Sequence, residues 1–340
     1  MTRKEQLRRR RMIKRRVLPV VGILILILLL FFVVKGIRGC GKKKNTAQPI
    51  TSQSSADASS QTSGDSAVKT ALSSAVSQLI ASGDAKIKEE TATSVAIENT
   101  PIDNVDSLDG SNVDWGSGGQ VDEYNRPVGC LQYQEKYGNT YPAYFIANVD
   151  EPEKKVIYLT FDEGYENGYT PAILDTLKEK DVKAVFFCTL PFFEEQPELV
   201  QRMIDEGHEL GNHSVNHPSD GLPSESVEEQ TNEIMEVHNY VLENFDYTMH
   251  LFRFPAGKFS EKSLAIVNNC NYRAAFWSFA HYDYNTEDQP DVASSLQKAV
   301  DSLHPGAIYL LHAVSSTNTE MLGDFIDQAK AAGYEFELLQ

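Results

Sequence analysis

Five short stretches between residues 160 and 312 of this 340-residue chain put polar side chains where apolar runs end. The first is TFDEGYENGYT, Thr160 to Thr170, directly after VIYL. Asp162 and Glu163 stand side by side there, and adjacent carboxylates repel and are costly to desolvate unless a cation or hydrogen-bond donors meet them. The second, GNHSVNHP, carries His213 and His217 four residues apart. On a helical turn that spacing points both imidazoles the same way, so that they can share one divalent ion. The third, LFRFPAG, brings Arg253 out of an apolar run, and a buried arginine needs a carboxylate, for which Asp162 is the candidate. The fourth, WSFAHYDY, sets Asp283 among aromatics, and the fifth, AIYLLH, ends on His312. An aspartate partner would tune that histidine as an acid. Each feature alone has an ordinary structural reading: a helix-face histidine pair, a salt-bridged arginine, a core histidine. Their shared position at strand ends turns the balance toward a site.

The elements that must position these residues are strands alternating with helices. Strand-like runs are VIYLTF (156–161), AVFFCT (184–189), HELGN (208–212), LFRF (251–254), RAAFWS (273–278), AIYLLH (307–312) and YEFELL (334–339). Helical stretches are expected at about 170–180, 197–206, 224–244, 261–269, 291–302 and 318–332. This pattern predicts an α/β fold with a parallel sheet, an incomplete or distorted (β/α) barrel of about seven parallel strands, with an open doubly wound sheet as the alternative. In such folds chemistry sits at the C-terminal ends of the strands, where all five stretches fall.

The order TFD-x-G, H-S-x-x-H, R-x-P-x-G, an aromatic-flanked aspartate and L-x-H resembles the carbohydrate deacetylases of the NodB-homology type, over roughly residues 150–340. TFDEGYENGYT and HPGAIYLLHAVSSTN are most similar to the spore-cortex branch, which removes acetyl from N-acetylmuramic acid in peptidoglycan ahead of muramic δ-lactam formation. WGSGGQVDEYNRPVG, 115–129, is similar to the segment preceding that branch's domain. The resemblance implies Asp162 as catalytic base, His312 as general acid, Arg253 and Asp283 as their orienting partners, and His213, His217 and Glu163 as ligands of a divalent metal, with zinc the expected ion. It also implies an acetyl pocket at Leu310, an oxyanion contact from the Ala256 backbone N–H, and substrate contacts from Tyr165 and Tyr284. Two residues depart from the family pattern. Glu163 stands where the family's metal-binding aspartate is usual, and Tyr284 where a tryptophan commonly follows the aspartate. The implied chemistry is metal-assisted amide hydrolysis on peptidoglycan glycan strands. The alternatives are N-acetylglucosamine or another polysaccharide as substrate, and a non-catalytic wall-binding module whose metal site has decayed at Glu163.

The first third of the chain differs in character. Residues 1–44 hold 14 Lys and Arg against the single acid Glu5, a charge of +13, which leaves −30 for the remainder of a chain whose net charge is −17. An acidic remainder without a nucleic-acid motif argues against nucleic-acid partners. After the basic residues 1–16, the run 17–34 is uncharged and mostly apolar, about the shortest length that crosses a bilayer. Nine Lys and Arg precede it and five follow, so the expectation is a single-pass anchor with a cytoplasmic N-terminus, favoured over a cleaved signal peptide. Residues 35–111 read as an extracytoplasmic stalk and linker with a weak helix at 66–90, and residues 112–340 as the catalytic domain lying outside the membrane. The four cysteines, Cys40, Cys130, Cys188 and Cys270, form no metal or disulfide framework. Cys40 is expected to be unmodified, Cys188 to be a core residue, and a Cys130–Cys270 bridge is left open.

Overall fold

The computed structural model describes residues 99–339. The strands are β1 Val113–Asp114, β2 Ala143–Tyr144, β3 Val156–Glu163, β4 Ala184–Cys188, β5 Glu209–Asn212, β6 Leu251–Phe252, β7 Lys258–Phe259, β8 Arg273–Ala275, β9 Phe279–Ala280, β10 Ala307–His312 and β11 Glu335–Phe336. The α-helices are α1 Val128–Tyr133, α2 Thr170–Glu179, α3 Leu190–Glu195, α4 Pro197–Asp205, α5 Val227–Phe245, α6 Glu261–Asn269, α7 Val292–Asp301 and α8 Ser316–Ala331.

The main sheet runs β2-β8-β6-β5-β4-β3-β10-β9, with every pair parallel and β11 added beside the start of β3. Only residues 276–278 separate β8 from β9, so the two ends of this path meet through the chain itself. Phe276 N donates to Tyr144 O (2.8 Å), Ser278 N to Ile308 O (3.0 Å) and Ala147 N to Gly306 O (2.9 Å), which curls the sheet into the distorted barrel that the alternation of elements predicts. Eight strands lie on the path rather than about seven. The expected run 273–278 forms only β8, at 273–275, and β9 follows it at 279–280; β9 and β2 are two-residue strands too short to announce themselves in sequence. The ladder of β6 stops at Phe252, one residue short of Arg253, and β11 covers only two residues of the expected 334–339.

Side-chain alternation on these strands divides the core in two. Val156 and Tyr158 of β3 face inward with Val185, Phe187, Leu251, Ala275 and Ile308 to fill the barrel. Ile157, Leu159 and Phe161 face outward and join the larger cluster with Ile173, Leu174 and Leu177 of α2 and Met321, Leu322, Phe325 and Ile326 of α8. The helices supply matching stripes. In α5, Gln230, Ile234, Val237 and Val241 recur every three or four residues on the buried side. Ser226 and Glu229 close a reciprocal capping box at its start, and Asp246 ends it in the left-handed region at φ 52°.

Residues 99–115 wrap the domain. Asn99 Nδ2 donates to Asn268 O and Tyr272 O at the end of α6, and β1 pairs antiparallel with β7. Trp115 then packs edge-on to Phe145 and donates from Nε1 to Trp277 O (3.0 Å). Cys130, Cys188 and Cys270 are all free thiols, so the bridge left open between Cys130 and Cys270 is not formed. The expected tail, membrane span and weak helix lie outside the described residues, and among those described no helix is long and apolar enough to cross a membrane.

The approach of the segment after β2 to the start of β10 depends on Gly306, whose φ is +74° and whose N–H and C=O bond Val156 O and Ala147 N. A Cβ there would collide with the Ala147 carbonyl. Gly306→Ala should cost about 2–4 kcal/mol, from a left-handed backbone and a backbone clash together. Thermal denaturation should show a drop of about 5–15 °C. An unchanged melting temperature would show that the Ala147–Gly306 contact does not hold the fold.

Candidate active site

Parallel strands end at one rim, and the inward-facing position after each inner-core residue becomes a side chain of the cleft there. On β3 the inward series Val156, Tyr158, Thr160 ends in Asp162, and on β10 the series Ile308, Leu310 ends in His312. Register sets Asp162 directly beside His312, and Thr160 beside Leu310. His213 follows β5 and Arg253 follows β6. The cleft these residues enclose has a volume of about 670 Å³, and Asp162, Tyr165, His213, His217, Ala256, Trp277, His281, Tyr284, Leu310 and His312 are among its walls.

Arg253 is fully buried and uses its whole guanidinium. Nη1 donates to Asp162 Oδ1 (2.8 Å) and Thr160 Oγ1 (2.7 Å), Nε to Ala275 O (3.0 Å) and Nη2 to Phe276 O (3.1 Å). Its plane lies 4.1 Å over the Phe187 ring. Burial alone would raise the Asp162 pKa, but Arg253, His213 and His312 outweigh it and hold the carboxyl below the usual aspartate range. Asp162 is therefore ionised at neutral pH.

His312 shows the opposite balance. Burial disfavours its charge, yet the hydrogen bond and charge of Asp283 prevail, and its pKa lies above the ordinary histidine value. Nδ1–H donates to Asp283 Oδ1 (2.7 Å), which leaves Nε2 for a transferable proton. Asp283 Oδ2 accepts from His312 N (2.9 Å) and from Asn318 Nδ2 (2.5 Å), while Asn318 Oδ1 takes Nε2–H of His281 (2.8 Å). Asn318, His281, Trp277 and Thr160 are working parts of this site that sequence reasoning missed. Thr160 had a signal, since it precedes Asp162 by two on one strand face. Asn318 lies six residues after His312 on the first turn of α8, a spacing that belongs to no regular period.

His213 and His217 do meet, but not on a helical turn. Ser214 (φ 66°) and His217 (φ 46°) both adopt left-handed backbone, and His217 N donates to Ser214 Oγ (3.1 Å), folding a tight loop that brings the rings to 4.8 Å. Burial pushes His213 down to about 4 and also lowers His217, so both are neutral. His213 Nδ1–H donates to Arg253 O (2.9 Å), and its Nε2 lies 3.4 Å from Asp162 Oδ2. Two neutral imidazoles, one oriented by a backbone carbonyl through its other nitrogen, fit a shared metal ion.

Glu163 does not join them. As the residue after Asp162 on one strand it faces the opposite side, with Ile157, Leu159 and Phe161, and its carboxyl is buried toward α2. Thr170 Oγ1 donates weakly to Oε1 (3.4 Å), and Oε2 has no partner. Burial and the nearby Glu166 raise its pKa well above the carboxylate range, so Glu163 is a neutral acid. Among the described residues no three His, Cys, Asp or Glu side chains are arranged to hold a metal. Strand parity thus sets the expected third ligand apart from the two histidines.

Ala256, Leu310, Tyr284 and Tyr165 also lie around the cleft. Ala256 takes φ 55° in the turn after Phe254, an uncommon conformation for a residue with a Cβ and one that collects at functional sites. Leu310 lies beside Thr160 on the inner face, Tyr284 approaches His312 edge-on at 5.7 Å, and Tyr165 stands half-exposed at the opening.

Residues 149–275 match the polysaccharide deacetylase family. The chain is 38% identical over 157 residues to the peptidoglycan-N-acetylmuramic acid deacetylase PdaA of Bacillus subtilis, a match covering 46% of this chain and 59% of that one. The matched stretch therefore spans about three fifths of that curated relative's length. The solved structure of B. subtilis PdaA, a family 4 carbohydrate esterase, superposes with a TM-score of 0.63 at 36% identity, covering 68% of this chain and 96% of that one. A peptidoglycan-N-acetylglucosamine deacetylase of Bacillus cereus is 30% identical over 157 residues, covering 45% of this chain and 72% of that one.

Two measurements test this geometry. His213→Ala and His217→Ala should each lose most of the bound divalent metal, measured by elemental analysis, whereas Glu163→Gln should retain it. Equal loss in all three would put Glu163 back among the ligands. The second is pH-dependent stability. Because the fold raises the Glu163 pKa, the wild type keeps a proton there that the unfolded chain releases above about pH 4.3. Its contribution to stability is full at low pH and is lost as pH rises toward the folded value. Glutamine has no such loss, so Glu163→Gln should gain thermal stability relative to wild type between pH 5 and pH 8. Parallel curves would mean that Glu163 is ionised in the fold.

Proposed function

Because the chain belongs to the polysaccharide deacetylase family, we propose that it is a hydrolase removing N-acetyl groups from peptidoglycan amino sugars, with N-acetylmuramic acid as the preferred residue. The observation that carries this reading is the pairing of Asp162 and His312 at adjacent strand ends, the carboxyl held below the ordinary aspartate range by Arg253 and the imidazole raised above the ordinary histidine value by Asp283. A wall-binding module has no use for that separation. Muramic acid is preferred over glucosamine because identity to the muramic-specific relative is higher, 38% against 30%.

Asp162, oriented by Arg253, takes the proton of the attacking water as its oxygen bonds to the acetamide carbon. The Ala256 backbone N–H faces the developing oxyanion. The C–N bond then breaks, and His312 Nε2 gives its proton to the departing amine while Asp283 stabilises the imidazolium against the shift in charge. Acetate and the free amino sugar leave. His213 and His217 would hold a divalent ion, zinc for imidazole donors, which when bound supplies the positive charge that polarises the acetamide carbonyl. The apolar run 17–34 would tether the chain to the membrane with this domain on the outer side, next to the wall.

The decisive experiment is acetate release from denuded, N-acetylated peptidoglycan, with muropeptide mass spectrometry to identify the sugar. Asp162→Asn keeps the shape but cannot accept a proton, so kcat should fall by about a hundredfold or more. The wild-type profile should be bell-shaped. Its acid limb belongs to protonation of Asp162 below the ordinary value of about 3.9, and its alkaline limb to loss of the His312 proton above about 6.5. Wild-type protein that releases no acetate from peptidoglycan would leave the wall-binding reading in its place.

A further inference from the structure

Among the described residues, five large apolar side chains are strongly exposed, and three of them are tyrosines at one place. Tyr165 and Tyr284 line the cleft. Tyr282 does not, but its ring packs on Tyr284 with centroids 4.5 Å apart and planes at 60°, so the aromatic surface continues from the cleft wall outward as an angled corner. Both rings are more than half exposed, at 54% each. Single exposed rings need no explanation, but a contiguous pair running out of a site does.

The corner is held rigidly. Asp283, between the two tyrosines, is fully buried and tied to His312 and Asn318, so its neighbours on either side project outward. Downstream, Gln289 Nε2 donates to Asp283 O and Asn285 O, both at 2.8 Å, and closes the loop behind them. An exposed aromatic surface mounted on a pinned backbone loses little freedom when it binds.

We propose that Tyr282, with the outer part of the Tyr284 ring it packs on, forms a second sugar-binding subsite at the edge of the cleft, on which the pyranose adjoining the reacting sugar in a glycan strand rests. This rests on the peptidoglycan reading above. Each tyrosine presents an apolar face and a polar tip, which matches the C–H face and hydroxyl rim of a pyranose. Two side chains are far too little for a protein partner, which needs about 800 Å² from each side. Continuity with Tyr284, itself beside His312, puts this sugar next to the one being deacetylated rather than at a remote site.

The test is equilibrium binding of the full-length protein to peptide-free glycan strands of alternating N-acetylglucosamine and N-acetylmuramic acid, fractionated from two to eight sugars. Wild-type affinity should rise with length over the first additions, and Tyr282→Ala should remove about tenfold from the longer strands while leaving the shortest unchanged. Tyr282→Phe should keep most of the gain. Circular dichroism would verify that the variants fold. If Tyr282→Ala weakens all lengths equally or none, the subsite is overturned while the peptidoglycan reading stands. If wild-type protein binds no strand and releases no acetate from peptidoglycan, both are overturned.

Discussion

A fully buried arginine is the constraint on which this domain is organised. Arg253 carries a permanent charge into the barrel mouth, where desolvation is severe, and the fold answers with a carboxylate, a hydroxyl, two carbonyls and an aromatic face. Three separate strands, β3, β4 and β8 with its extension, contribute those partners. Removing Asp162's charge therefore touches more than chemistry, since an uncompensated buried charge costs about 3–5 kcal/mol. The same residue's carbonyl orients His213, so the base and the histidine pair are aligned by one side chain and its own backbone.

On the other side of the cleft the equivalent role is split. Asp283 has no arginine and is ionised through hydrogen bonds from His312 and Asn318 that outweigh its burial. One carboxylate is thus held beside a permanent cation and the other beside a titratable one, so the first is kept below its ordinary pKa while the second also raises its neighbour's imidazole. The two arrangements sit on β3 and β10, which are hydrogen-bonded neighbours, so their relative position is as rigid as the sheet.

Much of this was legible in the chain. Apolar runs ending in Asp162, His213, Arg253 and His312 located the rim, because a parallel sheet leaves its functional ends polar. What could not be read was direction. Adjacent Asp162 and Glu163 look like one acidic unit, and only a strand's two-residue period separates them into a site residue and a buried neutral acid. The histidine spacing was right and its cause was not, since left-handed backbone at Ser214 and His217 replaces a helical turn. Asn318 and His281 stayed hidden because their contacts join segments 37 residues apart with no pattern between them. Short elements such as β2 and α3 were missed because a few residues carry too little periodicity to register.

The position of β10 in the sheet has a consequence for how activity comes into being. It is laid between β3 and β9, yet it is among the last strands in the chain. Asp162, His213, His217 and Arg253 are all present once residue 253 has been made, whereas His312 is missing until its strand is inserted. A ribosome therefore delivers one wall of the cleft first and the other near the end. Under the reaction proposed above, no chain that stops short of His312 would turn over, and activity would report that β10 has taken its place in the sheet.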